Sequence, residues 1–123
     1  MITNPYETYK QQSVMTMTSG QMLILVYNEL IKQLSLAQKA FDNHDIPEIN
    51  RSLQKSQVII HELKGTLNFD YSISNNLSDL YDYFYSVILN ANIKKDSSEL
   101  QRVIEMASEL KDTFSEADKL SRG

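Results

Sequence analysis

The residues best placed to do chemistry are those of "HELKGT", His61 to Thr66. A histidine followed one helical turn later by lysine and then glycine has the makings of a phosphoryl acceptor. The imidazole takes the phosphoryl group, the lysine balances its charge, and the glycine leaves room for the donor. On a helix, His61 falls about 120° from the apolar face of its segment and so points toward solvent. Other catalytic arrangements are missing. The chain has no Cys, which removes disulfides, thiolate metal sites and cysteine nucleophiles. A di-iron carboxylate bundle needs Glu-x-x-His pairs, yet Phe41 and Val58 stand three residues before His44 and His61. There is no His-Glu-x-x-His, no phosphate-cradling glycine loop and no Gly-x-Ser-x-Gly. Metal and redox chemistry are therefore not expected, and no cofactor site is visible.

What positions these residues is a set of helices. After Thr18, apolar residues recur at three and four positions almost everywhere. Leu23, Val26, Tyr27, Leu30, Leu34, Ala37 and Phe41 form a first stripe, with Thr18 and Gln21 at capping-box spacing before it. Asp45 and Glu48 repeat that spacing, with Pro47 in the first turn, ahead of Ile46, Ile49, Leu53, Ile60, Leu63 and Leu67. "NFDYSISNN" reads as a loop. A third stripe is Leu77, Leu80, Tyr81, Phe84, Ile88 and Ala91. Asp96 and Glu99 open a fourth, with Leu100, Val103, Ala107, Leu110 and Phe114. Helices of about 20 residues, each about 30 Å long, joined by short loops predict an all-α, antiparallel up-down four-helix bundle. Residues 18–123 make the bundle and residues 1–17 an N-terminal arm.

Composition agrees with one such domain. Of the 123 residues, 41% are hydrophobic and 23% charged, with three Gly and two Pro. A formal net charge of −4 speaks against generic binding to nucleic acid or anionic lipid. The start of the chain lacks the basic and apolar regions of a secretory signal, and "MLILVY" is far too short to span a bilayer. These features are compatible with a cytoplasmic protein and predict no membrane insertion.

Some apolar residues are left over once each helix has a core direction. Ile24 and Ile31 project to the flank of the first stripe, and Leu25 points nearly opposite it. Val58 points away from the second stripe; Tyr85 and Leu89 lie to one flank of the third and Tyr83 to the other. Tyr is favoured at interaction surfaces because it offers contact area at little rotamer cost. A partner-binding surface made of Ile24, Leu25, Ile31, Tyr81 and Tyr85 is the expectation, since a groove between helices can receive an apolar helix.

Two short patterns resemble known families. "HELKG" resembles the His-x-x-Lys-Gly motif of histidine phosphotransfer domains, which gives the alternative reading of a phosphotransfer bundle using His61. A further alternative is a regulatory helical adaptor. More extensively, "NPYETYKQQSV", "VYNELI", "TLNFD", "LYDYFY", "ANIKKD" and "DTF" occur in the order and spacing of the flagellin-specific secretion chaperone family, from Asn4 to Phe114. That resemblance implies an export chaperone which binds the disordered C-terminal region of flagellin, prevents premature polymerisation and delivers it to the flagellar export apparatus. It also gives Tyr6 and Tyr9 a role. Three residues apart in a polar arm, they suit reversible docking over apolar surface and recognition of partners. Self-association in the absence of a partner is a further expectation.

Overall fold

A computed structural model describes residues 19–122. They form four helices: α1 (Ser19–Asp42), α2 (Ile46–Gly65), α3 (Ile73–Lys94) and α4 (Leu100–Arg122). Each helix packs on its chain neighbours, and α1 also packs on α4, which closes the ring of an up-down bundle. Thr18, and with it the expected first capping box, lies outside the described residues.

The turns show how the sequence sets the helix ends. His44 adopts positive φ (54°) after α1, and the Asp45 amide reaches back to the Ala40 carbonyl at 2.9 Å. Asp45 then caps α2 by accepting from the Glu48 amide at 3.3 Å. The reciprocal half of the box is absent, because the Glu48 carboxylate is held by the Arg51 guanidinium instead. At the start of α4 the expected box is replaced by a turn. Lys95 closes α3 at φ 51°, and the Asp96 carboxylate accepts from Ser98 rather than Glu99, so the helix begins only at Leu100. The α2–α3 loop is displaced from the expected 68–76. Gly65 ends α2, and Ile73 to Asn76 are already helical, because Asn68 organises the turn. Its carbonyl accepts from the Ser74 hydroxyl at 2.6 Å and its side chain from the Asp70 amide at 3.0 Å.

The four stripes supply the core. Tyr27, Leu30, Leu34, Ile49, Leu53, Ile60, Leu63, Tyr81, Phe84, Ile88, Leu100, Val103 and Ala107 are all buried. Leu23, Val26, Phe41, Leu67, Leu77, Leu80, Leu110 and Phe114 are half-buried, and Ile46, at the first turn of α2, is 47% exposed. At the centre the Tyr27 and Tyr81 hydroxyls hydrogen-bond each other at 2.6 Å, tying α1 to α3 across the bundle. Burial pushes both hydroxyls to higher pKa. The Phe114 ring lies 5.7 Å from that of Tyr27.

Candidate partner-binding grooves

The bundle is not equally closed on all sides. Helices α3 and α4 make the sparsest of its neighbour contacts. The seam between them is a furrow in which Leu80, Val87, Met106 and Leu110 are half-buried. It holds two hollows. One, about 240 Å³, is lined by Leu80, Met106, Glu109, Leu110 and Thr113. The other, about 210 Å³, lies toward the α3–α4 turn, between Val87 and Ala91 on one side and Asp96 to Glu99 on the other. Tyr83 follows Leu80 by three residues and precedes Val87 by four, so it stands on the rim of the same furrow.

A larger hollow, about 470 Å³, opens between the start of α1 and the end of α2. Met22, Leu23, Val26 and Leu63 make its apolar wall, with Ser19, Glu62 and Thr66 at its edge. Beside it at the same end of the bundle, Phe69, Tyr71 and Ile73 of the α2–α3 loop are well exposed. Both surfaces present apolar side chains in concave form, the shape that accepts a partner's apolar helix face.

The profile of the family "Flagellar protein FliS" matches residues 2–121 of the chain.

The protein belongs to the FliS family.

Among its curated relatives, the flagellar secretion chaperone FliS of Bacillus subtilis (strain 168) is 37% identical over 121 residues, 98% of this chain and 91% of the relative. The flagellar secretion chaperone FliS of Vibrio cholerae is 29% identical over 114 residues, 88% of this chain and 84% of the relative. That of Salmonella typhimurium is 24% identical over 107 residues, covering 85% and 79% respectively. FliS is a family of chaperones, not of enzymes.

Membership of FliS changes the weight of the histidine motif, and so does its geometry. His61 is exposed, but the Lys64 ammonium donates to Asp82 of α3 at 2.6 Å and is committed there. Nothing lies within 4 Å of where a Cβ on Gly65 would stand, so the glycine clears no space that a side chain would fill. What the motif supplies is an α2–α3 tie and a helix end.

The residues expected at the partner surface are scattered around the FliS bundle. Ile24, Ile31 and Gln38 are seven apart and share one flank of α1. Gln38 donates to Gln101 of α4 at 2.9 Å, so this flank faces α4, and Ile31 packs on the core there. Leu25 is exposed on the other side of α1, and Tyr85 lines a small hollow with His61, Lys64 and Asp82 between α2 and α3. Tyr81 requires a correction. It is 1% exposed and bonded to Tyr27, so it offers a partner no surface. The stripe of α3 already assigned Tyr81 to the core, and that assignment holds. Tyr6 and Tyr9 lie outside the described residues. The apolar stripes place Leu80 and Leu110 in the core and do not include Met106. The signal that marks them is the pairing of α3 with α4, which periodicity within one helix does not contain.

Proposed function

We propose that this FliS-family protein is a cytoplasmic export chaperone that binds the disordered C-terminal region of flagellin and keeps it from polymerising before export. A disordered apolar segment needs elongated apolar surface on which to order, and it gives up conformational entropy as it does so. The open α3–α4 furrow is the observation that carries this reading, with the hollow beside α1 as a second seat. Occupying the segment's apolar face removes the surface that nucleates assembly, and no nucleotide is needed. The flagellar export apparatus is the second partner. Leu25, Ile24, Ile31 and Tyr85 lie outside these seats and remain contact candidates only for a segment that wraps further round the bundle.

The arm, residues 1–17, completes the proposal, with residues 18–123 as the bundle. Ser19, the first described residue and the one nearest in the chain to the arm that carries Tyr6 and Tyr9, lines the large hollow. Docking of the arm there in the free protein lowers apparent affinity by the fraction of time the seat is closed. The same exposed surface would favour self-association when no partner is present.

Calorimetric titration with the flagellin C-terminal segment tests the reading. Saturable one-to-one binding with a negative heat-capacity change is expected. Absence of heat at several temperatures, with both components soluble, rejects it. Removing residues 1–12 is expected to tighten binding; unchanged affinity with lost stability assigns the arm a purely structural part.

A further inference from the structure

Resting on the furrow as a partner's seat, we infer that its occupant is an amphipathic helix carrying lysine or arginine on the flank beside α4. The floor formed by Leu80, Val87, Met106 and Leu110 accounts for the apolar stripe. The charged lining accounts for the flank. At one end the furrow has Glu109 and no cation. At the other it has Lys94, Asp96 and Glu99, one negative charge in excess. The carboxylates of Glu99 and Glu109 make no hydrogen bond or ion pair among the described residues. Glu99 immediately precedes α4 and Glu109 lies on it ten residues later, a span of about 15 Å along the helix axis. Tyr83, on the opposite rim, adds an aromatic face toward which a cation is attracted.

Charge also separates the possible occupants. Residues 1–18 contain one acid, Glu7, and one base, Lys10, and bring no net positive charge. A second copy brings a chain of net charge −4. A separate partner helix with basic residues about three turns apart fits the two unpaired carboxylates better than either.

The test uses two synthetic helical peptides with one apolar stripe, one flanked by Lys and the other by Glu at the same positions. Each is titrated into the full chain at low and moderate salt. The Lys peptide is expected to bind about five- to tenfold more tightly, each exposed pair giving a factor of about two to five, and the difference shrinks with salt. Glu99→Lys with Glu109→Lys is expected to reverse the preference; Glu109→Gln alone halves the effect and covers the case in which the double variant is unstable. Met106→Glu is expected to abolish binding of both peptides, placing them in the furrow. Equal binding of the two peptides, or a preference untouched by the double charge reversal, overturns the inference. So does binding that survives Met106→Glu. A dimer in sedimentation that the charge reversal strengthens would identify a second copy as the occupant and also overturn it. If the Lys peptide binds as described and flagellin's segment does not, the inference stands and the flagellin reading falls.

Discussion

The two sides of the bundle are built from different residues. Where α1 meets α2, the small residues Ala37, Ala40, Ser52 and Ser56 are buried. Small side chains let two helices approach closely. The serine hydroxyls are satisfied within their own helix, Ser52 bonding to the Glu48 carbonyl and Ser56 to the Ser52 carbonyl, both at 2.8 Å. Where α3 meets α4, the residues are Leu80, Val87, Met106 and Leu110, and they remain half-buried. Bulky side chains that no facing helix covers leave a furrow with unspent apolar surface. One seam is closed by small residues, and the other leaves apolar surface uncovered.

The largest effect that sharpens this contrast is in the core beside the closed seam. Leu34 is fully buried, and Leu34→Ala is expected to cost about 2–5 kcal/mol in denaturant unfolding. Next, Ser52→Leu overfills the closed seam and is expected to cost about 1–3 kcal/mol. Met106→Ala in the furrow should cost less than either, while weakening peptide binding. Similar losses of stability at Ser52 and Met106 would erase the distinction between the seams.

Tyr27→Phe tests the centre that both sides share. It leaves the buried Tyr81 hydroxyl without its partner, at a cost of about 1–3 kcal/mol, and Tyr81→Phe in the same chain should recover much of it. The sign with pH follows from burial. Both folded-state pKa values are raised, so this contribution is complete below about pH 10, where unfolded tyrosine keeps its proton. It is lost as pH rises further, and the double Phe variant should lack that alkaline decline. An unchanged alkaline transition would show that other groups govern it.

The smallest effect belongs to the polar turns. Hydrogen bonding from Ser98 holds the Asp96 carboxyl below its ordinary range, and the Arg51 hydrogen bond does the same for Glu48. Their contributions are present above about pH 4 and fade as pH falls below it. Asp96→Asn should flatten that part of the acid stability profile slightly, without altering peptide binding at neutral pH. A large neutral-pH loss would mean that the turn also supports the furrow.

The fold was legible because each helix writes its own core direction. Leu30, Leu34 and Ala37, or Phe84, Ile88 and Ala91, are brought to one face by the helical period before any tertiary contact exists. Turn chemistry was legible in part. Asp45 does cap α2, whereas Asp96 spends its carboxylate on Ser98, and Asn68 gathers a loop that lets α3 begin early. A side-chain oxygen within reach of several amides is assigned by the conformation of the turn, not by residue spacing alone.

The sequence by itself determined the four amphipathic helices, their order, the missing catalytic chemistry and the surplus of apolar residues that points to a partner. Only the tertiary structure decided where that surplus becomes a surface. Tyr81 and Leu80 are neighbours on one helix, and both look apolar and inward in the sequence. Tyr81 meets Tyr27 and is sealed, while Leu80 meets the poorly covered edge of α4 and is not. Helical periodicity fixes the angle of a side chain about its own axis; burial depends on how near the next helix comes, and that distance is set by residues distant in the chain.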